Sequence, residues 1–194
     1  MASHSHDLTI SVYGHSSANP ESVACLFGAK HVAQSDGSED VAIFVINPNT
    51  GVDEQTVANW GALDDFQTPR IIVVTELDSG EADFDDAVLL ANRLFDQVVT
   101  PYLVLHDDLG APCALISLET QEIIDYSETP EKTIASDPEH KTLVSEFVEE
   151  YAAHLAVMGD GAFAAGLLFP AIPLLIEKRI GVDIVRKYLS EISR

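Results

Sequence analysis

The segment after the first predicted strand carries the residue types that could bind a phosphate. Leu8 to Tyr13 (LTISVY) is short, apolar and β-branched, which predicts a buried strand, and Gly14 ends it. Asn19 and Pro20 predict the start of a helix, because Asn is a common N-cap residue and Pro fits the first helical position. A loop between a strand and a helix can hold phosphate oxygens with backbone N–H groups, aided by a Lys cation and by a hydroxyl that binds magnesium.

The residues at the start of this helix are unfavourable for an anion. Pro20 has no backbone N–H, and Glu21 adds a carboxylate to the first turn.

The other groups of reactive residues predict no catalytic site and no metal site. Asp85-Asp86 and Glu149-Glu150 have no nucleophile or metal-ligand set near them in the sequence, so they are interpreted as solvated helix faces. There is no Gly-x-Ser-x-Gly turn and no convincing Cys/His couple. Residues 4–7 (HSHD) could chelate a metal, but a chain end holds ligands poorly.

The charge of the chain restricts its partners. It has 194 residues, of which 46% are hydrophobic, and a formal net charge of −22. Such a charge repels phosphate backbones and anionic membrane surfaces, so no direct nucleic-acid or membrane partner is expected. No stretch approaches the roughly 18 apolar residues that a membrane span needs, and we expect a soluble, cytoplasmic protein.

The order of the predicted elements indicates an α/β fold. Apolar runs of strand length alternate with amphipathic helices, which predicts parallel strands joined by right-handed crossovers. The predicted strands are Leu8 to Tyr13, Val41 to Ile46, Arg70 to Thr75 and Pro101 to Leu105, and the helices between them begin near Pro20, Asp53 and Asp83. Residues 30–40 are polar and predict a loop.

The alternation changes after residue 106. Cys113 to Leu118 and Glu122 to Tyr126 predict a hairpin, residues 127–137 a polar connector, and residues 137–158 a helix. Residues 163–176 form an apolar core segment or strand, and residues 181–192 a closing helix. We therefore predict one domain over residues 1–194. It is a three-layer α/β sandwich with a mostly parallel sheet of four or five strands and a small hairpin-and-helix subdomain at about 106–166.

Several local motifs in this order resemble the GTPase domain of elongation factor G-like translational GTPases. Asn49 to Thr56 (NTGVDEQT) is similar to the family's "AGVEPQT" turn, and Trp60 lies on the helix that follows. Residues 68–78 (TPRIIVVTELD) are similar to its "PRIIFVNKMD" strand, and residues 112–126 to the hairpin "FKGVIDLVTMKAIIW" of its inserted subdomain. Together with residues 169–189, the resemblance extends over about residues 41–192 and implies a P-loop GTPase-like fold.

The motifs that handle the nucleotide in that family are degraded here. Against its "AHIDAGKTT" loop this chain has residues 14–22 (GHSSANPES), so the Lys position is Pro20 and the first Thr position is Glu21. Pro20 removes a cation and a backbone N–H, and Glu21 places a carboxylate where the family's polyphosphate lies. At an effective dielectric of about 20 this exchange costs several kcal/mol, so the resemblance implies that the loop rejects a triphosphate. Residues 30–40 are too few for the family's two switch segments and the strands beside them. The base-reading "NKMD" becomes Thr75 to Asp78 (TELD), and the "GSA" motif aligns with Leu174 to Ile176 (LLI).

The resemblance with these losses implies a non-catalytic, protein-binding or regulatory module linked to translation. In the family the inserted subdomain is where the ribosomal stalk protein docks, which implies a translation-related partner. GTP and magnesium are not expected as cofactors, and the loss of the switch strands exposes a sheet edge that could pair two copies into a homodimer.

Two alternatives remain open at this stage. The chain could be a residual guanine-nucleotide-binding protein or weak GTPase, with Asp78 forming a hydrogen bond to the edge of a guanine and His15 beside the phosphates. Both residues also have a purely structural interpretation: Asp78 as a turn or helix-capping residue, and His15 as a loop residue. The chain could also be a scaffold subunit whose vacated pocket is filled by another small molecule or by the chain itself.

Overall fold

The main body is a five-stranded parallel sheet. The computed structural model describes residues 8–79 and 81–192. Its strands are β1 (Ile10–Tyr13), β2 (Lys30–His31), β3 (Val41–Ile46), β4 (Arg70–Val74) and β9 (Ala171–Pro173), in the spatial order β2-β1-β3-β4-β9. Every pair of neighbours in this sheet is parallel, so the predicted sheet of four or five strands is confirmed.

Helices cover both faces of this sheet, which confirms the three-layer arrangement. They are α1 (Pro20–Phe27) and α6 (Val182–Ile192) on one face, and α2 (Glu54–Ala62) and α3 (Phe84–Leu94) on the other. The strand side chains alternate between the two layers: Val12 and Ile43 pack with the first pair of helices, and Tyr13 and Phe44 with the second. Strands β3 and β4 are buried along their whole length, as their continuous apolar sequences predict.

A second, antiparallel sheet follows the main body. It consists of β5 (Tyr102–His106), β6 (Pro112–Ser117), β7 (Glu122–Asp125) and β8 (Lys132–Ala135), in that order. Strands β6 and β7 are the predicted hairpin. The second sheet begins at Tyr102, a few residues before the predicted subdomain boundary at 106, and it is followed by α4 (Pro138–Leu143) and α5 (Ser145–Met158).

Three details of the sequence prediction are wrong. The run 101–105 was expected in the parallel sheet, but β5 pairs antiparallel with β6. The predicted polar connector contains β8, an edge strand whose four residues are all exposed and therefore show no apolar alternation. The predicted loop at 30–40 contains β2, a two-residue edge strand held only by β1.

The helix starts follow their capping residues. Asp53 accepts the backbone N–H of Thr56 at α2, and Asp83 forms a capping box with Asp86 at α3. Pro20 and Pro138 occupy the first turns of α1 and α4. Within the described residues, none of the helices is long and apolar enough to cross a membrane.

Candidate functional site

A cavity of about 340 Å³ lies at the carboxyl ends of the parallel strands. In open parallel sheets this edge is the usual position of a ligand. The chain runs from β1 outward to β2 on one side and from β3 outward to β4 on the other, so the strand order changes direction between β1 and β3. The cavity wall comes from the start of α1, from the loop after β4 and from the segment after β9. Its lining residues are Asn19, Ser22, Thr75, Glu76, Asp78 and the run Leu174, Leu175, Ile176, Glu177 and Lys178.

The backbone N–H groups of the loop after β1 donate hydrogen bonds to acceptors within the same loop. A single 3-10 turn covers Ser16–Ala18, and Asn19 adopts a left-handed conformation with φ 56°. The amide of Ser17 donates to His15 Nδ1, that of Ala18 to the His15 carbonyl and that of Asn19 to the Ser16 carbonyl. Because these amides are paired internally, they do not form an open cradle for an anion.

The first turn of α1 is equally poor in free donors. Pro20 has no amide hydrogen, and the amides of Ser22 and Val23 both donate to the Asn19 carbonyl. Glu21 lies in this first turn with its side chain 88% exposed; its Oε1 lies 3.9 Å from His31 Nδ1 of β2, and it is not among the lining residues of the cavity. The helix dipole favours such a carboxylate, and Glu21 therefore adds negative charge to the start of α1.

The cavity wall is acidic and apolar. Glu76, Asp78 and Glu177 contribute carboxylates, and Leu174 to Ile176 contribute aliphatic surface. Lys178 is the cation among the lining residues, and its Nζ donates to the Pro112 carbonyl at 2.9 Å. This lysine is thus held at a backbone carbonyl of the second sheet, and three carboxylates determine the sign of the charge in the cavity.

Asparagine side chains connect the three loops at this edge. Asn19 Nδ2 donates to Glu76 Oε1 at 2.5 Å, and Asn47 Nδ2 donates to the Ser17 carbonyl at 2.9 Å. Asn49 Nδ2 donates to the Ser79 carbonyl at 2.7 Å, and its Oδ1 accepts the Ala82 amide at 3.1 Å. Side-chain hydrogen bonds therefore connect the loops after β1, β3 and β4 with one another.

Replacing Asn49 with Ala should loosen two of these loops together. Each lost hydrogen bond contributes about 0.5–1.5 kcal/mol, so we expect the free energy of unfolding to fall by about 1–2 kcal/mol. Hydrogen exchange should accelerate in residues 47–53 and also in residues 76–82. Asn49→Asp retains the acceptor for the Ala82 amide but places a carboxylate oxygen against the Ser79 carbonyl, so it should cost at least as much stability as Asn49→Ala. Acceleration confined to residues 47–53 would contradict the proposed connection.

Of the two residues predicted to contact a nucleotide, Asp78 lines the cavity and His15 does not. Asp78 is exposed and lines the cavity, in a turn after β4; the cap of α3 is Asp83. His15 is also exposed, but its Nδ1 lies 2.8 Å from Ser17 Oγ and it is not a lining residue. Ser17 Oγ in turn lies 2.8 Å from Thr50 Oγ1. A nucleotide role for Asp78 and His15 stays a prediction.

The segment between β2 and β3 is fixed by a buried carboxylate. Glu39 is only 7% exposed and accepts hydrogen bonds from the hydroxyls of Tyr13 and Ser35. Burial raises the pKa of the Tyr13 hydroxyl to about 12, and the hydrogen bond to Glu39 acts in the same direction. Asn59 of α2 accepts the Ser35 amide and donates to the Ala33 carbonyl, so residues 33–39 are attached to both β1 and α2.

Sequence reasoning missed the asparagines and Glu76 as the residues that organise the site. The sequence motifs place Asn49 only in a turn, and they include Glu76 only as part of the degraded base-reading motif at Thr75 to Asp78. The available signal was that Asn19, Asn47 and Glu76 each follow a predicted strand, where parallel strands bring their loops together.

The carboxylate pairs and metal candidates add no second centre. Asp86 is engaged in the capping box of α3, and Glu150 lies 3.8 Å from His154 on α5. Among residues 8–79 and 81–192, no group of three or more His, Cys, Asp or Glu is placed to hold a metal ion. Residues 4–7, the predicted weak chelator, lie outside the described residues.

Comparison with known proteins gives partial relatives. No family model matches the chain. It is 29% identical over 164 residues to an elongation factor G-like protein of Mycobacterium tuberculosis (strain ATCC 25618 / H37Rv), covering 73% of this chain and 22% of that protein. It is 39% identical over 94 residues to the mitochondrial ribosome-releasing factor 2 of Anopheles gambiae, covering 48% of this chain and 13% of that protein.

A solved structure supports the fold. A crystal structure of a protein from Thermus thermophilus matches 80% of this chain and 27% of that chain, with a TM-score of 0.67 and 21% identity. That likeness concerns the fold alone. This chain thus spans less than a quarter of the length of the two sequence relatives. The resemblance predicted from the motifs is confirmed: the chain resembles, in sequence, part of elongation factor G-like proteins.

Proposed function

We propose that this chain is a non-catalytic, protein-binding relative of a translational GTPase domain, acting in the cytoplasm in a process linked to translation. The observation that carries the proposal is the loop after β1, whose amides at Ser17, Ala18 and Asn19 are paired within the loop. A domain that keeps its core but uses up its phosphate donors can still present surfaces to a partner.

Electrostatics at the same edge supports the loss of nucleotide binding. A triphosphate beside the cavity would meet the carboxylates of Glu76, Asp78 and Glu177, while Lys178 is engaged with the Pro112 carbonyl. At an effective dielectric of about 20, two like charges about 4 Å apart repel by about 4 kcal/mol, which corresponds to a loss of almost a thousandfold in affinity. GTP and magnesium are therefore not proposed as cofactors.

One observation favours the alternative, a residual guanine-nucleotide-binding protein or weak GTPase. Asp78 is exposed on the wall of a cavity of about 340 Å³, beside the aliphatic run Leu174 to Ile176 that could contact a flat base. Recognition there would depend on the base, because the phosphates would meet carboxylates and the amides of the loop after β1 are already paired.

Calorimetric titration with GTP and GDP, each with and without magnesium, separates the two candidates. We expect no binding tighter than about 1 mM, because the phosphates gain no donor and meet three carboxylates. A micromolar constant that Asp78→Asn removes would establish the alternative and overturn the proposal. A matched control is Asp108→Asn, which changes a carboxylate away from the lining residues.

The translation link is tested by sedimentation with ribosomes. Co-sedimentation of the purified chain with ribosomes from its own source is the expected result. Because the net charge of −22 repels RNA phosphates, the contact should be made to ribosomal protein and should persist when salt screens that repulsion. Failure to co-sediment at micromolar concentrations at both about 50 mM and about 150 mM salt would contradict a direct ribosomal partner.

A homodimer also stays a proposal. The open edges are β2 and β8, and all residues of both strands are exposed. The charge of −22 opposes association of two copies, so light scattering at low and high salt should show any dimer more strongly at high salt.

A further inference from the structure

A second cavity, distinct from the strand-end site, lies between the main body and the second sheet. It has a volume of about 330 Å³ and is bounded by α3 on one side and α5 on the other, with residues 98–100, Leu103 of β5 and Leu118, directly after β6, between them. We call it the α3–α5 groove. Its apolar lining includes Val88, Leu89, Leu103, Leu118, Phe147 and Tyr151.

The rim of the groove exposes large apolar side chains on both helices. Leu89 on α3 is 66% exposed and Phe147 on α5 is 45% exposed, and Leu143, at the end of α4 and one helical turn before Phe147, is 69% exposed. Single exposed apolar residues are common, but here two of them flank an apolar cavity. Covering them would gain hydrophobic energy.

The charges around the groove are negative. Asp85 and Glu150 line it, and Asp83 and Asp86 lie close enough to act on Asp85. Burial, followed by the repulsion from Asp83 and Asp86, raises the pKa of Asp85. No Lys or Arg is among the lining residues, but His154 lines the groove with its Nε2 3.8 Å from Glu150 Oε1, and His106 acts on Asp85 in the opposite direction to the two neighbouring carboxylates. A cation brought to Asp85 would relieve this repulsion.

The walls of the groove favour a helical occupant. Two helices, α3 and α5, form its sides, and an amphipathic helix binds by laying its apolar face into such a groove. The amides of Val98, Val99 and Leu118 are already paired, with Asn92 Oδ1, the Phe169 carbonyl and the Pro101 carbonyl. Strand β5 is an edge strand of the second sheet, so a peptide that adds to β5 is the competing outcome of the test.

We propose that the α3–α5 groove binds an amphipathic helix of a partner protein, with its apolar side on Leu89 and Phe147 and its Lys or Arg residues facing Asp85 and Glu150. The proposal rests on the protein-binding function above and specifies the chemistry of the partner. It places the contact across two parts of the fold, since Leu89 belongs to the main body and Phe147 to the helices after the second sheet.

The test uses three synthetic 18-residue peptides and the whole protein, with binding followed by fluorescence anisotropy. The first is an amphipathic Leu/Lys helix, the second has the same composition in scrambled order, and the third is an amphipathic Leu/Glu helix. The first should bind at least tenfold more tightly than the other two. The scrambled peptide is essential because a chain of charge −22 attracts any polycation.

Point variants locate the contact. Leu89→Ser should weaken binding of the Leu/Lys peptide about tenfold, as expected for an anchor residue, and Asp85→Asn should weaken it less and reduce its salt dependence. Val157→Ser is the matched control, because Val157 is 87% exposed on the same helix as Phe147 but does not line the groove. The altered residues are exposed, so folding should be retained, and circular dichroism checks this.

Three outcomes would overturn the groove as the binding site. They are equal binding of the scrambled and amphipathic Leu/Lys peptides, no binding of either, or an equal loss of affinity in Leu89→Ser and Val157→Ser. None of these results decides the protein-binding function itself, which the sedimentation with ribosomes tests separately.

Discussion

Replacing Arg70 with Ala should lower the free energy of unfolding by about 3–4 kcal/mol, because it removes both hydrogen bonds to a charged group and a well-packed side chain. The Arg70 side chain is 3% exposed, and its Nη1 lies 2.6 Å from Asp64 Oδ1. Its guanidinium also lies 4.5 Å from the ring centroids of both Trp60 and Phe169. Urea unfolding measures the loss.

Two control variants separate charge from packing at this position. Arg70→Met retains much of the apolar volume and should recover part of the lost stability, whereas the carbonyls of Trp60 and Thr68 would still lose their donors. Arg186→Ala removes an arginine that is 48% exposed and paired with Asp183, and it should cost less than about 1 kcal/mol. Equal losses in Arg70→Ala and Arg186→Ala would contradict the stabilising role assigned to Arg70.

Replacing Gly181 with Ala should lower the free energy of unfolding by about 3 kcal/mol or more, since backbone strain and a steric clash add. Gly181 has φ +80°, and a Cβ added there would lie 2.0 Å from the carbonyl oxygen of Pro173. That atom belongs to β9, so relief of the clash requires β9 or the start of α6 to shift. Urea unfolding and the melting temperature measure the effect.

Gly28 provides the matched control for Gly181. It also has a positive φ, +65°, but a Cβ added there meets nothing within 4 Å. Gly28→Ala should therefore cost only about 1 kcal/mol, the conformational penalty of a left-handed L-residue. If the two substitutions cost the same, the close contact with Pro173 does not contribute. Because β9 leads into Leu174 to Ile176, a shift at Gly181 should also disturb the wall of the strand-end cavity.

Much of the sheet was predictable because burial leaves a mark in the local sequence. The runs 41–46 and 70–75 are apolar without alternation, which is typical of strands covered on both faces, and β3 and β4 lie there. Asp53 and Asp83 preceded amphipathic segments and cap the helices that follow.

The errors arose where local sequence carries no information about the pairing partner. The run at 101–105 has the same apolar character as a parallel strand, yet β5 pairs with β6. Nothing in five residues specifies which sheet they join, because the ladder is completed by another segment. Strand β8 was missed for the opposite reason: it is exposed and polar at a sheet edge.

At the candidate site, the residue types alone predict an unfavourable environment for phosphate. The missing N–H of Pro20 and the carboxylate of Glu21 are properties of the residues themselves, independent of the rest of the fold. By contrast, only the tertiary structure pairs Asn49 with the loop after β4, or holds Lys178 at the Pro112 carbonyl, 66 residues away in the chain.

The sequence by itself thus determined the helices and buried strands of the main body, their alternation, and the residue types that make one loop unfavourable for phosphate. The tertiary structure alone decided which side chains meet at the strand ends, and that α3 and α5 enclose an acidic, apolar groove. The physical reason is that helix and strand signals reside in the periodicity of neighbouring residues. A site, in contrast, depends on contacts between segments far apart in the chain, which only packing brings together.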